Sequence, residues 1–292
     1  MTSRDLHVRQ SQLLKCAEPL LNDMPASALK HALFEAFWSQ ERSLLAIEDA
    51  FVLLVAHPVP MDELLGFFAG WWHTHDDRRS ISGLASHLAL LADTAPLSSA
   101  RRGYVRTIHR LQQLNADGLD GAGQAGSSGL FDAMASAVCG SERWAVREPS
   151  APAALVFGQW FDACCQDRHD PLPGLLATLV RHVYVWIEAH YLQPLFRRWL
   201  APEWGWPVQA AHATQAWFQL HAGPAQVGRF LEALAALEDF TRAMAVAPGQ
   251  PAARAVFAQY LYRRSRAMLD CARTLPVPAT NPSGQHHERS AP

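Results

Sequence analysis

Apolar side chains recur at three- and four-residue intervals along nearly the whole chain, and the strict alternation of a half-buried β-strand is absent. Prolines, glycines and short polar clusters interrupt this pattern. The pattern therefore predicts an all-α protein, a single bundle of about ten helices. The predicted helical segments are residues 5–22, 27–56, 60–76, 83–93, 98–114, 130–139, 151–167, 173–200, 208–221, 224–246 and 252–274.

Serine and proline residues mark several of the predicted helix ends. Ser27 is a predicted N-cap, because a serine hydroxyl can accept a hydrogen bond from the free N–H groups of a first helical turn. Either Ser80 or Ser82 is predicted to cap the segment 83–93 in the same way. Pro194 falls inside the segment 173–200, where it predicts a kink or a break.

The chain offers one candidate domain boundary, a run of five glycines and two serines at residues 118–129. No other stretch is long enough to link two domains, so this run is interpreted as a loop inside one bundle. Residues 1–275 are predicted to form a single all-α domain. Residues 276–292 carry proline, serine and histidine without an apolar period, and they are predicted to be a disordered tail.

Composition excludes several classes of function. Apolar residues make up 49% of the chain and charged residues 18%, with a formal net charge of −2, so neither a nucleic-acid surface nor an anionic-membrane surface is expected. No apolar run approaches the roughly 20 residues of a membrane helix. The amino-terminal residues are polar, without the pattern of a signal peptide. Five cysteines without a CxxC motif suggest reduced thiols in a cytoplasmic protein.

The most distinctive segment runs from Trp217 to Gly228. An aromatic pair precedes His221, and positions four and seven residues later hold Ala225 and Gly228. Glu188 lies 33 positions before His221 in another aromatic stretch. Two earlier stretches, residues 57–72 and 114–135, have the same aromatic and glycine-rich character.

Together these segments resemble the haem-oxygenase-like superfamily, especially its diiron oxidases and iron-containing redox enzymes, over roughly residues 55–240. The resemblance implies a single helical bundle and a diiron centre with six protein ligands. At the matching positions this chain keeps Glu188 and His221, with Asp117 as a third candidate, while Ala225 and Gly228 stand where an acid and a histidine are expected. The resemblance therefore predicts Glu188, His221 and Asp117 as metal ligands and iron as a cofactor.

Two or three ligands are too few for the usual diiron chemistry, because two cations held close together need several carboxylates and imidazoles. Each candidate also has a structural alternative. Glu188, with its apolar flanks, is a metal ligand, a general base, a core glutamate paired with Arg or His, or a solvent-facing glutamate. His221 is a ligand, or a histidine that binds the last carbonyls of its helix. His73 and His75 are interpreted as an exposed helix end.

The ten tryptophans either fill the core or line a central apolar cavity, which would be the default small-molecule site. The candidates for lining such a pocket are Tyr184, Trp186, His190 and Trp217.

Three hypotheses for function follow. The first is a divergent haem-oxygenase-like protein that has lost diiron oxidase chemistry and binds a small molecule or supports a partner enzyme. The second is an active oxidoreductase of the same fold acting on a small metabolite, either metal-free or using iron held by further residues such as Asp162 or His182. The third is a purely structural or interaction protein, and a homo-oligomer or a partner protein fits any of the three.

Overall fold

The computed structural model describes residues 9–56, 58–76, 78–95, 97–116, 127–146, 151–167, 169–246 and 248–276. These ranges contain thirteen α-helices, one short 3-10 helix at Pro202–Trp204 and no β-strand, which confirms the all-α prediction. The α-helices are α1 (Gln12–Asp23), α2 (Ala28–Ser39), α3 (Glu41–Val55), α4 (Met61–His73), α5 (Arg78–Thr94), α6 (Ser98–Ala116), α7 (Ser127–Cys139), α8 (Arg143–Val146), α9 (Pro152–Gln166), α10 (Leu172–Trp199), α11 (Val208–Ala222), α12 (Pro224–Met244) and α13 (Gln250–Ala272).

The predicted helix at 27–56 is wrong as one element, because the chain breaks it into α2 and α3 at Gln40. Gln40 leaves the helical region, with φ −103° and ψ 19°. The N-cap prediction for Ser27 is confirmed, since its hydroxyl accepts a hydrogen bond from the backbone N–H of Lys30 at 3.1 Å. Ser11 caps α1 in the same way, and α1 therefore begins at Gln12.

The predicted caps Ser80 and Ser82 are wrong, because α5 already begins at Arg78 and contains both residues. Their hydroxyls bind neighbouring helices instead: Ser80 donates to the carboxylate of Asp162, and Ser82 accepts from the side-chain amide of Asn115 at 2.9 Å. The last three residues of the predicted loop at 118–129 are helical, since α7 begins at Ser127. The rest of that loop, and residues 277–292 of the predicted tail, lie outside the described residues.

Two prolines have different effects on their helices. Pro194 does not break α10, which runs through it from Leu172 to Trp199. Pro224 occupies the first position of α12, where its missing N–H costs no hydrogen bond, and Gly223 is the extended residue between α11 and α12. The boundary predicted between the segments 208–221 and 224–246 is therefore confirmed at Gly223 and Pro224.

The central helix is α10, which packs against α1, α9, α11, α12 and α13. Buried positions follow one another along most of its length from Gly174 to Phe196, instead of lying on one stripe. A helix that is apolar all round belongs in the interior of a bundle. Polar side chains on α10, such as His182 and Glu188, are therefore carried into the core.

The middle of the bundle is filled by aromatic rings. Trp71 on α4 is completely buried and packs against neighbouring rings at centroid distances between 5.1 and 5.9 Å. These neighbours are Phe51, Phe68, Phe131, Phe196 and Trp217. Three of the tryptophans therefore fill the core, which is one of the two alternatives for them: Trp71, Trp144 and Trp217. Within the described residues, no helix has both the length and the apolar character needed to cross a membrane.

Candidate functional site

Glu188 lies at the centre of a buried polar cluster formed by α4, α10 and α13. One nitrogen of Arg264, Nη2, lies 2.7 Å from Oε1 and 3.0 Å from Oε2 of Glu188. The Tyr184 hydroxyl, one helical turn away, donates to Oε1 at 3.0 Å, and His75 Nε2 lies 3.0 Å from Oε2. Glu188 is therefore a core glutamate paired with Arg and His, one of the alternatives that the sequence left open.

Arg264 and Arg181 also hold the carboxyl-terminal end of α4. Arg264 Nη1 donates to the carbonyl of Thr74 at 2.8 Å, and Arg181 Nη2 donates to the carbonyl of His75 at 2.8 Å. The last carbonyls of a helix have no helical donor and carry the negative end of its dipole, so cations stabilise them. The two arginines therefore fix the position of His75, which directly follows this helix end.

The interpretation of residues 73–76 as an exposed helix end is wrong for His75 and Thr74. Only 8% of His75 and 4% of Thr74 are exposed. The imidazole of His75 packs against Trp71 and Trp217, with ring centroids 5.7 and 5.6 Å away. Arg264 and Arg181 hold this end of α4 in the interior of the bundle, although neither residue is close to it in sequence.

The cluster combines an ionised carboxylate with a neutral imidazole. Burial alone would raise the pKa of Glu188, but the charge of Arg264 and the hydrogen bond from His75 outweigh it and lower the pKa to about 2. Burial, together with the charge of Arg264, lowers the pKa of His75 to about 4. Burial opposes the charge on Arg264, yet the neighbouring Glu188 carboxylate raises its pKa above the ordinary value.

Neutral His75 has two hydrogen-bonding arrangements in this cluster. Its Nε2 lies 3.0 Å from the Glu188 carboxylate and 2.9 Å from Arg264 Nη2. A protonated Nε2 donates to Glu188, whereas an unprotonated Nε2 accepts from Arg264. Nδ1 takes the opposite role in each arrangement.

A second buried network joins His221 to His182 through Gln226. Gln226 Nε2 donates to the carbonyl of His182 at 3.0 Å, which assigns the orientation of its amide. Gln226 Oε1 then accepts from His221 Nδ1 at 3.2 Å, so His221 Nε2 carries the lone pair. His182 Nδ1, 3.3 Å from Gln226 Nε2, accepts, and its Nε2 is a buried N–H with no partner among the described residues.

His182 and His221 are both neutral at pH 7. Burial is the main cause that lowers the pKa of each well below the usual value, and the positive charges of Arg181 and Arg229 add to it. The dipole at the end of α11 would favour a charged His221, but burial has the larger effect. His221 is thus held by Gln226 and does not act as a charged helix cap.

His75, Trp217 and His221 line a small opening of about 30 Å³, together with Arg181 and Ser128. This volume has room for little more than one water-sized molecule. The ring of Trp217 lies between the two histidines, with centroid distances of 5.6 Å to His75 and 4.7 Å to His221. The opening places two neutral imidazoles beside one small polar space.

The described donor set does not fit a diiron centre. Across the described ranges, no group of three or more His, Cys, Asp or Glu side chains is arranged to hold a metal ion. Both oxygens of Glu188 already receive hydrogen bonds from Arg264, and a metal cation beside them would face a guanidinium charge. Asp117 lies outside the described residues, so the set of Glu188, His221 and Asp117 stays a prediction.

The predicted pocket residues occupy three different places. Tyr184 is buried within the Glu188 cluster, and Trp217 lines the small opening. Trp186 and His190 stack on each other with ring centroids 3.9 Å apart. Trp186 lines a separate cleft of about 280 Å³ that it shares with Phe230 on α12.

Arg264, His75 and Gln226 are the members of the two networks that sequence reasoning missed. A signal for Arg264 was present in the pattern of α13. Phe257, Leu261, Arg264 and Met268 follow the three- and four-residue spacing of a single buried face, so an arginine occupies a core position. His75 and Gln226 have no comparable local signal.

A cleft lies between α10 and α11, the helices that carry Glu188 and His221. Its volume is about 620 Å³. Its lining includes the buried residues Phe196, Thr214 and Phe218 and the exposed Arg197. A cleft of this size is within the range of small-molecule sites, which span about 300–1,000 Å³.

No protein-family model, no curated protein and no solved structure matches this chain. The resemblance to the haem-oxygenase-like superfamily accordingly stays a prediction from the sequence.

Proposed function

We propose that the protein is a small-molecule binding protein, built on a divergent haem-oxygenase-like bundle, in which a fixed ion pair replaces metal-dependent oxidation. The observation that carries the proposal is the contact of Arg264 with both oxygens of Glu188, at 2.7 and 3.0 Å, in a completely buried position. A buried carboxylate needs a positive partner. Arg264 supplies a charge that is permanent, so no metal ion is required for neutrality.

The remaining contacts of the cluster support a structural role for it. Tyr184 donates to the same carboxylate, His75 lies beside it, and Arg264 binds the end of α4 with its other terminal nitrogen. The cluster therefore ties α4, α10 and α13 together through hydrogen bonds to charged groups, the stronger class of protein hydrogen bond. This arrangement uses the groups that would otherwise be available to a substrate.

The cleft between α10 and α11 supports ligand binding outside this centre. Its volume of about 620 Å³ greatly exceeds the 30 Å³ of the opening at His75 and His221. Both helices that form it take part in the buried networks, since α10 carries Glu188 and His182 and α11 carries His221. A cleft with such fixed walls loses little conformational entropy when a ligand binds.

A metal-free enzyme is the second candidate, and the pair of His75 and Glu188 is the observation that favours it. A carboxylate 3.0 Å from an imidazole that borders an opening is an arrangement for acid–base work. The pKa of His75, lowered to about 4, makes it a weak base at neutral pH. The binding function therefore has the stronger support.

Metal analysis tests the proposal that the protein does not use a bound iron centre. The protein would be produced with iron supplied, purified without chelators, and its iron content measured by mass spectrometry. We expect iron far below one equivalent, unchanged in the Glu188→Gln variant. Near-stoichiometric iron that disappears in both Glu188→Ala and His221→Ala would contradict the proposal and support the iron-dependent alternative.

Native mass spectrometry tests the proposal that the protein binds a small molecule in the α10–α11 cleft. We expect a small molecule to remain bound to the purified protein and to be lost when Ala211→Trp fills the α10–α11 cleft. Leu231→Trp is the matched control, because Leu231 lines the separate cleft beside Trp186. If the bound molecule is retained in Ala211→Trp but lost in Leu231→Trp, the ligand site lies in the cleft beside Trp186 and not between α10 and α11. A protein with neither metal nor ligand would favour the structural or interaction alternative.

A further inference from the structure

We infer that the α10–α11 cleft binds an apolar molecule that carries one carboxylate. This inference rests on the proposed binding function and names the chemical class of its ligand. Two features of the cleft lead to it: the single formal charge in its described lining, and the apolar side chains that form part of its walls.

The charge of the cleft favours an anion. Arg197 is the one formally charged side chain in the described lining, and no acidic residue is part of it. Arg197 forms no ion pair with another described residue. Its planar guanidinium can bind both oxygens of a carboxylate at once. The amides of Gln193 and Gln215, which also line the cleft, add donors around the same space.

Apolar side chains form part of the walls of the cleft. Pro194 and Pro202 line it, together with Ala211 on α11. Two further lining residues, Phe196 and Phe218, pack edge to face with centroids 5.4 Å apart. Proline rings and small side chains lose no rotamer freedom when a ligand binds. These side chains therefore suit the apolar body of a ligand.

A matched set of three probes tests the ligand class by isothermal titration calorimetry of the full chain. The probes are 2-naphthoate, 2-naphthylmethanol and 2-naphthylmethylamine, which share one ring system and differ in charge. We expect 2-naphthoate to bind most tightly, about tenfold more tightly than the alcohol, because a hydrogen-bonded charge pair at a partly exposed site is worth roughly that factor. The amine is expected to bind most weakly.

Variants then assign the recognition to residues. Arg197→Gln should weaken 2-naphthoate about tenfold and leave the neutral alcohol unchanged, since only the carboxylate uses the charge. Arg198→Gln is the adjacent comparison, because Arg198 lines a different cleft, of about 490 Å³, together with Trp199 and Trp204. Weaker 2-naphthoate binding in Arg198→Gln but not in Arg197→Gln would place the probe in that cleft and overturn the assignment.

The possible results separate the ligand class from the binding function. Equal affinities for the three probes, or the tightest binding for the amine, would overturn the anionic class and leave the binding function standing. An Arg197→Gln variant that binds 2-naphthoate as the parent does would also overturn it. If no probe binds while Ala211→Trp still displaces a copurified molecule, the class is wrong and the site is right. If no probe binds and no molecule copurifies, both proposals fail.

Discussion

The guanidinium of Arg264 lies 2.7 and 3.0 Å from the two carboxylate oxygens of Glu188, and neither side chain is exposed to solvent. The two residues are 76 positions apart, on α13 and α10. Because both charges are buried, each is stable only in the presence of the other. Loss of either residue would therefore leave an unpaired charge in the interior of the bundle.

Removing one partner of this pair should destabilise the protein strongly. Arg264→Met leaves the Glu188 carboxylate buried without its cation, and we expect a loss of about 3–5 kcal/mol in the free energy of unfolding. The double variant Arg264→Met/Glu188→Gln should lose less than the sum of its single variants, because it no longer buries an unpaired charge. Urea denaturation at pH 7.5 measures the free energy of unfolding of the two single variants and the double variant.

Arg266→Met is the control for this cycle, since Arg266 is exposed on the same helix and should change stability by less than about 0.5 kcal/mol. Strict additivity of the Arg264 and Glu188 effects would contradict the description of the two residues as a coupled pair.

Stability should fall as the pH drops below 6.5. His75, His182 and His221 all have a lowered pKa in the folded protein, so the unfolded chain binds more protons in this range. For His75, the difference between 6.5 and about 4 corresponds to on the order of 3 kcal/mol, present above pH 6.5 and lost as the pH falls towards 4. Glu188 adds a second loss between pH 4.5 and about 2.

Urea midpoints at pH 7.5 and pH 5.0 measure the histidine effect. His75→Gln should reduce the difference between the two midpoints, because glutamine does not titrate, whereas His212→Gln at an exposed position should leave the difference unchanged. Equal midpoints at both pH values for the parent protein would show that these histidines are not buried in their neutral form.

Two helical glycines should respond in opposite directions to alanine. A Cβ at Gly103 on α6 would lie 1.9 Å from the Cβ of Ala243 on α12, so Gly103→Ala must separate these helices and should cost about 1–3 kcal/mol. A Cβ at Gly228 meets nothing within 4 Å, so Gly228→Ala should stabilise α12 by about 0.5–1 kcal/mol. Thermal unfolding measures both, and a destabilised Gly228→Ala variant would contradict the open space at that position.

The imidazole of His221 should be neutral at pH 7, with its proton on Nδ1. Gln226 determines this form, because its amide nitrogen is committed to the His182 carbonyl and its oxygen faces His221. Long-range proton–nitrogen correlation spectra distinguish the two nitrogens of each ring. We expect Gln226→Met to remove the preference for Nδ1, while a charged imidazolium or an Nε2-protonated ring in the parent would contradict the assignment.

Much of the helical architecture was predictable because its signals are local. The cap at Ser27 and the interruption at Gly223 and Pro224 each depend on residues within one turn of the chain. The break at Gln40 was missed because glutamine is an ordinary helix residue, and packing within the bundle has to decide such a position. Ser80 and Ser82 were misassigned for the same reason, since helix α5 extends past both.

The candidate site was predictable only in part. The apolar flanks of Glu188 indicated a buried carboxylate, and the core pattern of α13 contained a signal for Arg264. His75 was misjudged because its neighbours are polar. Its burial depends on Arg264, 189 positions later, and on Arg181, 106 positions later, which bind the end of its helix.

The sequence alone determined the helical class and most helix ends, since hydrophobic period and capping chemistry act over a few residues. Only the tertiary structure decided that Glu188 is buried against Arg264, that His75 and His221 border the same opening, and that a cleft forms between α10 and α11. These are contacts between residues far apart in the chain. The packing of the helices determines which of many candidate partners contacts a buried charge. A local sequence pattern does not contain that information.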